Sequence, residues 1–296
     1  MTKEGAPTFL LGLGAQKAGT TWLHDYLASS SQVDFGFTKE YHIFDARELP
    51  QMAEEIPRLR KHFPTRRRSA THNLRMLKGL RRYWRRRAFY QNTDRYFDYF
   101  TSLLNRDGNM VTGDISPGYN GLSAATLTTI RESFAQRGVR VRSLLILRDP
   151  VERCWSAIRM AKRNNVGTPG SVLPDIDDEA LLTTMLNAPL LNLMSDYASG
   201  LSAMEAAFPE EDCLVLLYED LFTTETAHTL CKFLGIDLVT PNFGKMVNVT
   251  QKTQVISNEV QSKIAQHLTP SYHATMRIFS PDYVRERWPS TGHILA

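Results

Sequence analysis

Lys17 lies in Gly14-Ala-Gln-Lys17-Ala18-Gly19-Thr20-Thr21, a glycine-bounded run between an apolar stretch (Phe9, Leu10, Leu11, Leu13) and a helical pattern. A loop joining a buried strand to a helix turns backbone N–H groups outward at the positive end of the helix dipole, which makes a site for an anion. Thr20 and Thr21 add hydroxyl donors and Lys17 adds a mobile charge, so the segment reads as a cradle for a phosphate-like group. Its spacing is close to the nucleotide triphosphatase loop G-x-x-x-x-G-K-[ST]. Gly14 and Gly19 fit that motif, but Thr20 fills the lysine slot and the lysine comes three residues early.

Two further groups of residues belong with this loop. Lys39-Glu40-Tyr41-His42-Ile43-Phe44-Asp45 follows Val33–Phe37, which reads as a second strand weakened by Gly36. Ligands of open parallel sheets bind beyond the carboxyl ends of the strands, so Lys17 and Glu40 are expected at one edge. The apolar run Val141–Leu147 leads directly to Arg148, and Asp149-Pro150-Val151-Glu152 is a helix start with cap, proline and capping-box glutamate. Ser156, about two turns beyond the cap, returns to the face on which that helix begins. Arg148 and Ser156 then converge on a second anion, and two anion sites at adjacent strand ends suit a nucleotide charged at two separated positions.

The elements that must position these residues alternate between strand and helix. Thr20–Ser30, Thr93–Leu104, Ser123–Gln136 (closed by Gly138) and Leu221–Leu234 (ended by Gly235) read as helices, and Ser257–Leu268 as the last one. Met110–Thr112 and Cys213–Tyr218 join Phe9–Leu13 and Val141–Leu147 as strands. Asn165–Asp178 reads as a loop that serves as a lid or acceptor wall, and Glu179–Phe208 as helix interrupted near Pro189. The expectation is an α/β fold: a P-loop-like, three-layer arrangement with a central parallel sheet flanked by helices, in one domain over residues 1–296.

Composition narrows the class. Net charge is +4, yet residues 58–95 hold fourteen Lys/Arg against the single acid Asp94, leaving the remainder at about −9. Within this basic insert (about 50–95), Leu74, Leu77, Leu80 and Trp84 recur at helical spacing. A basic amphipathic helix can meet a membrane surface or a polyanion, or simply be solvated and packed on the domain. No module that reads nucleic acid surrounds it. Cys154, Cys213 and Cys231 lie in apolar contexts without metal-ligand spacing and read as reduced core residues. No apolar run approaches the roughly 18 residues of a membrane span. MTKEGAPTF enters the first strand too soon for a signal peptide, so the expected location is cytoplasmic, with the insert able to bring the chain to the inner membrane surface.

QKAGTTWL resembles the 5′-phosphosulfate loop of the sulfotransferases that use 3′-phosphoadenosine 5′-phosphosulfate (PAPS). LRDPVERCWSAIR is similar to their 3′-phosphate segment, and FPEEDCLVLLYEDL…FLGI to their closing strand–helix unit. Lys39-Glu40-x-His42-x-Phe44-Asp45 is similar to the K-E-x-H-F-F-D stretch of the heparan-type, Golgi-resident carbohydrate sulfotransferases and their bacterial relatives. The resemblance implies Glu40 as general base on a hydroxyl or amine acceptor (glycan, lipid or small metabolite), with His42 and Asp45 beside that acceptor. It implies Lys17 as the residue that steadies charge on the bridging oxygen. The loop Ala18, Gly19, Thr20, Thr21 and Trp22, with Arg148, Ser156 and the late basic residue Lys252, would hold PAPS and its product adenosine 3′,5′-bisphosphate. No metal is implied. Asp114 stands where the heparan enzymes carry an acceptor-side glutamate, but Ile115 replaces their lysine, which favours a bacterial enzyme with another acceptor. The competing readings are a P-loop nucleotide kinase or NTPase, opposed by the displaced lysine and by Arg148 preceding Asp149, and a non-enzymatic module that binds anionic membrane or glycan.

Overall fold

The computed structural model describes residues 6–57, 70–163, 177–243 and 256–294, with backbone alone for 70–76. β1 (Thr8–Gly14), β2 (Val111–Ile115), β3 (Arg140–Leu147) and β4 (Cys213–Leu217) form a parallel sheet in the order β2-β1-β3-β4. β1, buried along its whole length, pairs with β2 on one side and β3 on the other. The chain therefore leaves β1 toward one side and later crosses to the opposite side, which opens a crevice at the carboxyl ends of β1 and β3. Helices flank the sheet. Phe9 of β1 stacks on Phe134 of α5 (Ala124–Ala135) at 4.1 Å and meets Phe100 of α4 (Asp94–Leu104) edge-on at 4.9 Å. Such aromatic pairs add to the burial energy that holds a helix on a sheet.

α1 (Thr20–Leu27) follows the first loop, and α2 (Phe44–Glu48) is a short turn of helix after the Lys39–Asp45 segment. α3 (Ala70–Gln91) carries most of the basic insert and docks through buried Tyr83, Arg86 and Phe89. α6 (Pro150–Arg163) follows β3, with Asp149 Oδ1 accepting from the Val151 N–H at 2.9 Å as its cap. α7 (Asp178–Met185), α8 (Pro189–Leu193) and α9 (Tyr197–Ala207) lead into β4, and α10 (Thr224–Leu234) follows it. Ser123, Thr223 and Ser257 cap the starts of α5, α10 and α11 (Asn258–His267) with their hydroxyls. None of the described helices is long and apolar enough to cross a membrane.

Two local expectations change. Val33–Phe37 makes only a single bridge, Val33 to Val111, because Asp34 closes a turn onto the Gly36 N–H at 2.8 Å and Gly36 takes φ +77°. A left-handed residue ends a strand. Ser257–Leu268 is not the last helix: α12 (Thr269–Ile278) and α13 (Pro281–Arg287) follow, each with proline in its first turn. Pro270 opens a helix there, since a first-turn proline forfeits no hydrogen bond.

Candidate active site

The first loop is built around backbone that few side chains tolerate. Gly19 caps α1 at φ +81° with no side-chain cap, and a Cβ there would lie 2.5 Å from Leu221 Cδ2. The first-turn N–H groups of α1 thus lack intrahelical partners and face the crevice end of β1. Among the described residues, the two non-glycines with positive φ are Lys17 (+69°) and His42 (+51°). Both carry the chemistry singled out above, and held-open backbone of this kind concentrates at functional sites.

On the side of the first loop, the two segments expected to meet anions touch. Arg148 Nη1 donates to the Lys17 carbonyl at 2.8 Å, and its guanidinium lies 4.4 Å over the Tyr218 ring. Tyr197 donates to the Arg148 carbonyl at 2.9 Å. Ser156, Arg159 and Arg163 share the face of α6 that begins at Glu152, and Glu152 ion-pairs with Arg148 at 3.3 Å. Burial, then the like charges of Arg163, Arg148, Arg159 and Lys39, lower the Lys17 pKa. Arg148 Nε and Arg159 Nε and Nη1 are buried without a hydrogen-bond partner. Crowded cations and orphaned guanidinium donors are costly unless an anion meets them. The residues present therefore fit a ligand with negative charge at two places, as PAPS has. Arg159 and Arg163 escaped the sequence reading, although their positions three and seven residues after Ser156 were the available signal. Lys252 lies outside the described residues.

On the other side, charges alternate. Lys39 Nζ donates to Thr20 Oγ1 at 3.1 Å, Thr21 Oγ1 at 3.2 Å and Glu40 Oε1 at 2.8 Å, tying the two segments together. His42 contacts Glu40 Oε2 through Nε2 at 3.3 Å and Asp45 Oδ2 through Nδ1 at 2.6 Å. Burial opposes ionisation of Glu40, but His42 and Lys39 outweigh it and hold the carboxyl down to about 2. Burial likewise opposes protonation of His42, yet bonds to Asp45 and Glu40 push it up to about 10. At neutral pH His42 is an imidazolium that donates to both carboxylates. Glu40 remains 38% exposed at its side chain, whereas Asp45 is fully buried.

Asp114 lies beneath this row rather than in it. It is fully buried and accepts from Tyr119 at 2.7 Å, Tyr96 at 3.0 Å and Ser116 at 2.6 Å. Burial raises its pKa to about 6 against those bonds. Asp114 and Ser116 accept the Tyr41 N–H at 3.2 and 3.0 Å, Ser116 the His42 N–H at 3.1 Å, and Tyr119 Oη the Ile43 N–H at 3.2 Å. In this geometry Asp114 reaches an acceptor only by fixing the backbone that carries His42. Ile115 is buried too, packed against Gly12 of β1. The Ile115 N–H donates to the Lys39 carbonyl at 3.1 Å, so the end of β2, not a strand of its own, brings Lys39 and Glu40 to the crevice.

Among curated protein sequences none matches this one. The fold is similar to that of a sulfotransferase from Alicyclobacillus acidocaldarius, at 19% identity over 92% of this chain and 96% of that one, with a TM-score of 0.59. Sulfotransferase STF9 from Mycobacterium avium aligns at 12% identity over 93% of this chain and 77% of its own, with a TM-score of 0.47. The family profile described as Sulfotransferase domain matches residues 7–278. On that match, spanning all four strands and both sides of the crevice, the chain belongs to the sulfotransferase domain family and is a transferase.

Proposed function

We propose that this protein transfers the sulfuryl group of PAPS to a hydroxyl, or an amine, of an acceptor, within one domain spanning residues 1–296. The observation that carries the reading is the contact of Arg148 with the Lys17 carbonyl amid crowded cations, where Arg148 Nε and Arg159 Nε and Nη1 are buried without a hydrogen-bond partner. Lys17 and the amides of Ala18–Trp22 would hold the 5′ end of the nucleotide. Arg148 and Ser156, joined by Arg159, would hold its 3′-phosphate, and Lys252 belongs to the same reading. When bound, the nucleotide supplies a sulfuryl group on an activated linkage. Lys17 provides positive charge where the departing oxygen becomes negative, and fixed donors of this kind need no reorganisation during reaction.

Glu40 receives the acceptor proton at its exposed carboxylate. With a pKa near 2 it is a weak base at rest, because Lys39 and His42 share its charge. Lys39 also reaches the hydroxyls of Thr20 and Thr21, so an anion seated on that helix end draws the ammonium away from Glu40 and raises its basicity. Basicity is thereby delivered only after the donor is in place. His42, braced by Asp45, orients Glu40 and the acceptor, and Asp114 positions the backbone from Tyr41 to Ile43. The K-E-x-H stretch supports a place near the bacterial relatives of the heparan-type enzymes, with Ile115 arguing for a different acceptor.

The test is transfer of label from radiolabelled PAPS into fractionated cell extract by wild type and Glu40→Gln. Wild type should label one acceptor class and the variant should not, while still binding nucleotide. Equal labelling by both proteins would remove Glu40 from the mechanism, and labelling by neither would remove the donor assignment.

A further inference from the structure

The face of α3 turned away from the sheet has a composition the proposed chemistry does not use. Between Leu77 and Gln91 the helix holds six cations (Lys78, Arg81, Arg82, Arg85, Arg86, Arg87) and no acid. Leu77 is 58% and Trp84 60% exposed, the two most exposed large hydrophobic residues described. At positions i, i+4 and i+7, Leu77, Arg81 and Trp84 lie along one face, flanked by exposed Lys78 and Arg82. The opposite face is committed to the fold: Tyr83, Arg86 and Phe89 are buried, and Arg86 Nε donates to the Tyr41 carbonyl at 2.7 Å. Arg85 is drawn sideways over Phe37 at 5.4 Å.

We infer that this outer face of α3 docks on a lipid bilayer carrying anionic headgroups. Charge complementarity selects a negative partner, and the apolar residues select its kind. An aromatic and an aliphatic side chain aligned with snorkelling cations match the boundary between headgroups and acyl chains, where such helices lie in the plane of the surface. A nucleic acid or sulfated glycan would use the cations but would leave Leu77 in water. The inference does not depend on the donor assignment. Because Arg86 fastens α3 next to His42, docking would bring the Glu40–His42–Asp45 row to the membrane surface.

Co-sedimentation of the full-length protein with vesicles of phosphatidylcholine alone, or with 30% phosphatidylglycerol in the mixture, reads the partner directly; each cation that reaches the anionic surface is worth about fivefold in partitioning. Brominated acyl chains then report which face enters. Trp22, Trp155 and Trp288 are buried, so quenching should come from Trp84 and vanish in Trp84→Ala. The expected result is binding only to the anionic vesicles, weakened at least tenfold in the Lys78→Glu/Arg81→Glu variant, with Trp84 quenched. All substituted side chains are exposed, and circular dichroism confirms that each variant is folded. Equal binding to both vesicles, binding by another face without Trp84 quenching, or binding to heparin or RNA but not to vesicles would each overturn the inference. Nucleotide binding, measured without vesicles, stays unchanged in these variants, so failure here is distinguishable from failure of the sulfotransferase reading.

Discussion

The two walls of the crevice handle charge in opposite ways. Around Lys17, cations gather with Glu152 as their near acid, and guanidinium nitrogens stay buried without partners. Around His42, Lys39, Glu40, His42 and Asp45 alternate in sign, each within hydrogen-bond reach of the next. The first wall is incomplete without an anion, while the second is already neutralised. Under the proposed function, a site that seizes a charged donor and then takes a proton from an acceptor needs that asymmetry. Lys39, in contact with both walls, is where they communicate.

The sharpest break should come from the alternating row. Glu40→Gln is expected to lower turnover by about 10²–10⁴-fold, the usual contribution of a positioned base, with nucleotide affinity retained. Removing Arg148 strikes the other wall. Arg148→Ala should weaken binding of adenosine 3′,5′-bisphosphate by about ten- to hundredfold, the worth of hydrogen bonds to a charged group, measured by calorimetry. If either variant instead disturbed the opposite wall, the division of labour would fail.

Asp45→Asn probes the buried end of the row. It leaves His42 without its nearest anion, and the fold should lose about 3 kcal/mol in denaturant unfolding, as when one partner of a buried pair is removed. The pH dependence has a definite sign. The His42 pKa is raised from 6.5 to about 10 on folding, so its stabilisation is complete below pH 6.5 and is lost as pH climbs toward 10. Glu40 is lowered from 4.5 to about 2, so its contribution is complete above pH 4.5 and disappears as pH falls toward 2. Unfolding free energies across pH 7–10 should therefore decline in wild type and flatten in His42→Gln. The smallest expected effect belongs to Lys39→Met, which should move the acid limb of kcat/KM upward by relieving Glu40 of its cation.

Much of this geometry was written in local sequence. The apolar run Phe9–Leu13, broken by Gly14, could only be a buried strand entering a loop, and Asp149-Pro150 announced α6 two residues before its first turn closes. What escaped depended on distant partners. Nothing near Asp114 reveals that Tyr96 and Tyr119 will enclose it, and Val33–Phe37 carried strand composition that the Asp34–Gly36 turn overrode. Arg159 had the right spacing, but its buried setting only appears once Trp155 and the first loop are folded beside it.

Calorimetric titration of the wild-type protein with adenosine 3′,5′-bisphosphate, repeated at rising pH, tests the cationic wall most directly. An anion beside Lys17 opposes the burial and like charge that lower its pKa, so affinity should fall as pH rises into the range where that lysine loses its proton. Saturable heat that weakens at alkaline pH is the predicted result. No heat at millimolar nucleotide, or tighter binding of ATP with Mg²⁺, would contradict the account.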